Sequence, residues 1–412
     1  MSRLSRPRGR GALLAGLVSL LAAACQTPGT PAPPLSASCE SAPVALTQNF
    51  PGAGRSPCTR LGPARFALRI EPEAQPINPS PWYAFDLTRA PGSDAERAEI
   101  VLEYAASRHR YGPKVQTEGG WRALPADALT VLDDDRRRAA LTVDLAPPGV
   151  TRRIAAQPLF PVAERQAWRR GYAERTRFEL TEIGRSVQGR PIEAIWRRAA
   201  HRDAPVIVIL GGQHPPEVPG VIGLRAFLEA LARIDAAEGA GLGGAHWLVI
   251  PTLNPDGVDA GHWRLNTGLV DLNRDWGPFT QPETAAARDA IAARLEGRGP
   301  PLMLLDFHAT WRDVLYVPAG SQPDKTHPRV AHLVGAIEAA LPEGQAGFAI
   351  SPGHNPATPS AKTWFLEAYG EPGVTVEFGD ETDSARITAL ATALADAVAR
   401  CCQTKADQPQ ES

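Results

Sequence analysis

Residues Val206-Ile207-Val208-Ile209-Leu210 form an unbroken apolar run between Pro205 and Gly211-Gly212. The run is too short for a packed helix. A strand that is apolar at every position must be covered on both faces, so it demands a sheet with layers above and below it. Leu302-Met303-Leu304-Leu305 and Val374-Thr375-Val376 repeat the pattern, and further strands are expected at Trp247–Pro251 and Val314–Val317. Helical spacing recurs among them: Leu224, Phe227, Leu228 and Leu231 mark one apolar face, and Ile387, Leu390, Leu394 and Val398 mark another. This alternation predicts an α/β fold, a mixed β-sheet flanked by helices. In such sheets the functional groups lie beyond the strand ends.

Each apolar run ends in residues suited to a metal hydrolase. The first is followed by His214-Pro215-Pro216-Glu217, the second by Asp306-Phe307-His308, and the third by Glu377. An isolated H-x-x-E pair is more often a surface loop. Here a second strand of the same sheet can bring His308 to the same point. Two imidazoles and one carboxylate make a catalytic zinc site that leaves the fourth position open. His214, Glu217 and His308 are therefore the expected ligands of one Zn2+ per chain.

Three further blocks follow in a fixed order: Asn254-Pro255-Asp256-Gly257, Arg264-Leu265-Asn266 and Asp271-Leu272-Asn273-Arg274. Upstream, Ile183-Gly184-Arg185-Ser186-Val187-Gln188-Gly189-Arg190-Pro191 reads as strand, turn and strand. In this order the blocks resemble a zinc metallocarboxypeptidase of the carboxypeptidase A clan (the M14 family), in its cytosolic-carboxypeptidase-like branch, over roughly residues 63–400.

The resemblance implies a role for each residue. Glu377 would act as general base toward a zinc-bound water and then as general acid toward the leaving amine. Arg264 would stabilise the developing oxyanion. Asn273 and Arg274 would grip the terminal carboxylate of the substrate, and Asp271 would take the second ring N–H of His214. Each arginine has a plainer alternative as partner of Asp256, Asp271 or Asp275.

Two positions depart from the family. A tyrosine expected about twenty residues before Glu377 is replaced by His354-Asn355, and Pro216 stands where the animal digestive enzymes carry an arginine. Aligned on Trp364 and Glu377, Lys362 falls at the floor of the pocket for the terminal side chain, where an ammonium would favour an acidic residue. The alternative is an exposed lysine on a helix spanning residues 360–369.

The amino terminus carries Arg3, Arg6, Arg8 and Arg10 before an apolar stretch, Gly11–Ala24, too short to span a bilayer. It closes on Leu21-Ala22-Ala23-Ala24-Cys25. This resembles a bacterial lipobox with Cys25 as the acylated residue, cleavage by the general signal peptidase being the alternative. Gln26 then suggests the periplasmic face of the outer membrane, with the membrane contacted through the lipid alone. Cys39, Cys58, Cys401 and Cys402 leave three disulfide connectivities open, of which a bond between neighbours 401 and 402 is sterically poor.

The expected organisation is a signal peptide (1–24), a lipidated cysteine and Pro-rich linker (25–62), a small antiparallel β-sandwich (63–160), a catalytic domain (161–402) and a polar tail (403–412). The sandwich is read from the alternation of Ala98, Ile100, Leu102 and Tyr104 with Glu99 and Glu103, and of Leu141, Val143 and Leu145 with Thr142 and Asp144. Asn78-Pro79-Ser80-Pro81-Trp82-Tyr83-Ala84-Phe85 resembles its start in cytosolic-type carboxypeptidases. A formal charge of −2 offers no field for nucleic acid. Three functions fit: an exopeptidase acting on peptides with a free carboxylate, an envelope amidase trimming stem peptides or N-acyl amino acids, and a lipoprotein that only binds. A binding module has no need for a complete set of ligands together with Glu377.

Overall fold

The computed structural model describes residues 38–237, 242–318, 327–352 and 358–401. Ten strands come first: β1 (Val44–Thr47), β2 (Cys58–Gly62), β3 (Arg65–Ile70), β4 (Ala84–Arg89), β5 (Arg97–Tyr104), β6 (Lys114–Thr117), β7 (Gly120–Ala123), β8 (Leu129–Val131), β9 (Arg138–Asp144) and β10 (Thr151–Ala155). They form two sheets, ordered β1-β4-β10-β6-β7 and β2-β3-β5-β9-β8. All pairs are antiparallel except β3 with β5. Inward residues of both sheets, among them Phe66, Leu68, Phe85, Leu87, Ile100, Leu141 and Ile154, make one core. Trp82, Tyr83 and Phe85 belong to it, as an aromatic run in a sandwich should.

The sandwich begins earlier than residue 63. Strands β1 and β2 lie inside the stretch read as linker, and the Cys39–Cys58 disulfide, with Cα atoms 5.9 Å apart, ties that stretch together. A four-residue strand among prolines and glycines carries too few alternations to be legible. Cys25, Cys402, His354 and the tail lie outside the described residues, as does the side chain of Cys401.

Helix α1 (Val162–Glu174) leads into the second unit, with β11 (Glu179–Arg185), β12 (Pro191–Arg197), β13 (Val206–Gly211), β14 (His246–Ile250), β15 (Pro301–Thr310), β16 (Val314–Val317), β17 (Ala349–Pro352) and β18 (Gly373–Gly379). Its helices are α2 (Val218–Ala236), α3 (Pro255–Ala260), α4 (Pro282–Leu295), α5 (Pro328–Ala340), α6 (Ala361–Tyr369) and α7 (Ser384–Cys401). The eight-stranded sheet runs β11-β12-β14-β13-β15-β18-β16-β17. Its centre, β14, β13, β15 and β18, is parallel, and β11, β12 and β16 join antiparallel.

The apolar run of β13 divides between two cores. Ile207 and Ile209 pack with Leu224, Phe227, Leu231, Leu390 and Leu394 under α2 and α7. Val206, Val208 and Leu210 pack with Ala287, Ile291 and Phe365 under α4 and α6. Burying each such aliphatic side chain is worth about 1.5–3 kcal/mol, so the central strands anchor both layers. Because β13, β15 and β18 are neighbours, their carboxyl ends open onto one place.

Candidate active site

His214 follows β13 by three residues, and Gly212 between them adopts a φ of +65°, which a side chain would strain. Glu217 is the N-cap residue of α2. The first turn of this helix presses on β15 at Gly220, where a Cβ would lie 2.4 Å from the His308 carbonyl oxygen. Only glycine permits that approach, and it sets Glu217 against His308. In the register of β15 and β18, His308 pairs with Glu377.

The three expected ligands meet. His214 Nδ1 lies 2.8 Å from Glu217 Oε1, His308 Nδ1 lies 2.6 Å from Glu217 Oε2, and the two Nδ1 atoms are 3.2 Å apart. Each ring turns its other nitrogen to a carboxylate: His214 Nε2 to Asp271 at 3.0 Å, and His308 Nε2 to Asp306 at 2.8 Å. A ring that donates Nε2–H to a carboxylate presents a lone pair at Nδ1. Two such lone pairs and a carboxylate, all within 4.8 Å of one another, repel unless a cation or a proton sits among them. The donor set fits Zn2+. Without a metal, protons stand in. Burial alone would lower His308, but Asp306 and Glu217 hold it well above the usual histidine range; burial alone would raise Asp271, but His214 and then Arg264 hold it far below the usual carboxylate range.

Asp306 is a site residue to which sequence reasoning gave no role. Its Oδ2 also accepts from Gln213 Nε2 at 2.7 Å, and Gln213 accepts from Trp276 Nε1 at 3.0 Å. One signal was available: residues i and i+2 of a strand share a face, so an Asp-x-His strand places both groups together.

Asp271 has a second task. Its Oδ2 accepts from Arg264 Nε at 2.6 Å, and its Oδ1 caps the turn Leu272–Arg274 by accepting from Asn273 N. The plain reading of Arg264 as an ion-pair partner is thus correct, yet its Nη1 also stands 3.9 Å from Glu217. Asn273 Oδ1 accepts from Ala361 N, and Arg274 donates to the Asn273 carbonyl oxygen. Asp256 is taken instead by Arg190.

His214, Glu217, His308, Arg264, Asn273 and Arg274 line a cavity of about 580 Å³ that Glu377, Lys362 and Tyr316 also line. Glu377 Oε2 is sealed from solvent and has no hydrogen-bond partner among the described residues. Burial, followed by the Glu217 charge, pushes its pKa up to about 8. Lys362 is only 8% exposed, which removes the surface-helix alternative. Burial pushes its ammonium down to about 8 against the pull of Glu377.

The sandwich supplies one wall of the cavity through Asn78, Pro79, Ser80 and Arg110. Glu73 accepts from the backbone N–H groups of Trp263, Arg264 and Leu265, so a sandwich carboxylate fixes the segment that carries Arg264. Arg110 donates to both oxygens of Asp380, at 2.8 and 3.2 Å, just beyond β18. No local sequence pattern announces either contact.

Removing Arg110 should therefore destabilise the protein in a pH-dependent way. Burial raises Asp380 to about 6, with Arg110 opposing. Because the folded pKa lies above the unfolded one, the contribution of this group is full below about pH 4 and is lost as pH rises through 6. In Arg110→Ala the folded pKa should rise further. The loss should be small at pH 4 and reach about 1–3 kcal/mol above pH 7, reduced from the fully buried case because Arg110 is partly exposed. Chemical denaturation at both pH values measures it; an equal loss at both would refute the account.

Comparison with known proteins places this geometry. The zinc carboxypeptidase family model (M14 peptidases) matches residues 166–279, a span that includes His214, Glu217, Arg264 and Asn273. The match ends before His308 and Glu377. Mouse cytosolic carboxypeptidase-like protein 5 is 33% identical over 147 residues, 35% of this chain and 16% of that protein. The chain thus covers about a sixth of that curated relative. A metallo-carboxypeptidase from Burkholderia cenocepacia superposes with a TM-score of 0.70 at 20% identity, covering 88% of this chain and 100% of that one. One from Pseudomonas aeruginosa, solved with (2-guanidinoethylmercapto)succinic acid, gives 0.67 at 20% identity over 86% and 98%. Coverage of that extent takes in the sandwich as well as the second unit, and at this identity the likeness is one of fold.

Proposed function

We propose that this protein is a zinc metallocarboxypeptidase that hydrolyses the C-terminal peptide bond of a peptide, with a preference for acidic terminal residues. The observation that carries the proposal is the convergence of His214, Glu217 and His308 beside an unpartnered Glu377 oxygen in one cavity. Held by those three ligands, Zn2+ would polarise the scissile carbonyl and acidify water.

The remaining work falls to side chains of this chain. Glu377 takes the proton of the attacking water and passes it to the leaving amine. Arg264 faces the charge that develops on the carbonyl oxygen. Asn273 and Arg274, in the lining of the cavity, bind the terminal carboxylate. Asp271 and Asp306 fix the two imidazoles.

Incubation of the zinc-loaded protein with a defined peptide library and with isolated peptidoglycan stem peptides, read by mass spectrometry, tests this. The expected result is loss of single C-terminal residues, fastest for Glu and Asp. Cleavage of stem peptides alone would identify an envelope amidase, and no cleavage of either would leave a binding protein.

The acidic preference rests on Lys362. A charge-assisted hydrogen bond is worth roughly 1.5–3 kcal/mol, so Lys362→Ala should shift relative kcat/KM between acidic and apolar termini by on the order of ten- to a hundredfold. The same ratio in the unaltered enzyme should fall as pH rises through about 8, where the ammonium loses its proton. Equal losses on both substrates would remove Lys362 from specificity.

Export as a lipoprotein through Cys25, to the periplasmic side of the outer membrane, completes the proposal. The Cys39–Cys58 disulfide supports it, since such bonds persist in oxidising compartments. Mass spectrometry of the membrane-extracted protein should find a diacylglyceryl group on Cys25; an unmodified chain starting elsewhere would refute it.

A further inference from the structure

A second, small cavity lies where the sandwich, α1 and the metal-ligand turn meet. Its volume is about 20 Å³, and Gly52, Trp82, Arg165, Pro215, Val218 and His262 are among its lining residues. A cavity needs about 10–15 Å³ to hold one water, so a single small species fits. Pro215 and Val218 flank the ligands His214 and Glu217 in sequence. Whatever fills the space therefore braces the turn that presents them.

Arg165 gives this cavity its chemistry. It is 2% exposed; its Nε donates to the Phe160 carbonyl oxygen, while its Nη1 is sealed from solvent with no hydrogen-bond partner among the described residues. No ion pair of Arg165 occurs among them either. Its neighbour Arg169, by contrast, is matched by Glu193 at 2.6 Å. Asp259 and Glu164 attract Arg165 from beyond ion-pair distance; Asp259 Oδ1 accepts from Val162 N, and its Oδ2 stands 3.7 Å from Arg190. Arg169 and Arg225 add positive charge around the same guanidinium. Burial pushes its pKa down to about 9, which still leaves it charged at neutral pH.

A buried charge with no counter-charge in direct contact is costly, and a water relieves only the missing hydrogen bond. We propose that this cavity is a binding site for a monatomic anion, chloride in a biological medium, with Arg165 as its counter-charge. The site is independent of the peptidase reading.

The test compares thermal unfolding of the full-length protein in sodium chloride and in sodium gluconate at equal ionic strength, so that screening cancels. At ten times its dissociation constant, chloride should raise Tm by about 1.5–2 °C in a saturable manner, and Arg165→Met should abolish the difference between the salts. Crystals grown in sodium bromide should show an anomalous peak beside Arg165. Equal Tm in both salts overturns the proposal, whether the crystal shows a water or an adventitious ion only. A chloride effect without bromide at Arg165 also overturns it, because the ion then acts elsewhere. Should Arg165→Met fail to fold, the unaltered protein in two salts and the bromide crystal still decide.

Discussion

Replacing Glu377 with glutamine is expected to lower turnover by about a hundredfold or more while leaving zinc content and fold intact. Glutamine keeps the shape of the side chain and removes its capacity to take a proton, and general acid–base catalysis contributes about 10²–10⁴ in rate. Glu377 is no part of the ligand set, so elemental analysis should still find one zinc per chain. Thermal stability should hold or rise, because Glu377 Oε2 is a buried acceptor without a partner and an amide at that position is easier to desolvate than a carboxylate. Near-normal turnover in a zinc-loaded Glu377→Gln protein would take this residue out of the mechanism.

His308→Ala should give the other large effect, loss of the metal itself. It removes one of three ligands and leaves the lone pair of His214 and the Glu217 carboxylate facing a void. Zinc occupancy at micromolar total metal should fall from one per chain to near zero, and activity with it. Asp306→Asn provides a graded companion. The buried carboxylate that orients His308 becomes an amide, and disturbing such a partner weakens metal affinity by about 10- to 100-fold. Titration with a competing chelator measures both variants. Full zinc occupancy in a folded His308→Ala protein would refute the ligand assignment, and unchanged affinity in Asp306→Asn would make that residue part of the packing alone.

Some elements could not be read from local pattern. Helix α4 is rich in alanine and arginine with little segregation of apolar from polar positions, so periodicity gives it no face, yet Ala287 and Ile291 pack on the sheet. Strands β1 and β2 are short and sit among turn residues, and so passed for linker. Lys362 had two open readings because helical spacing places a residue on a face without saying what the face meets. Packing of Gly373 against its backbone, where a Cβ would lie 2.6 Å from the Lys362 Cα, turns that face inward.

What the sequence determined by itself is the doubly covered sheet and the placement of His214, His308 and Glu377 at its strand ends. An apolar run, a flanking glycine and the spacing of a few polar residues are local properties, and they survive being read one segment at a time. The tertiary structure alone decided which distant groups complete the site. Glu73 holds the backbone of Arg264 across 191 positions. The Asp380 that Arg110 grips lies 270 positions away. Such contacts follow from how two cores pack and how α2 closes on β15, and the free energy of that packing is spread over many buried side chains with no mark on the residues it brings together.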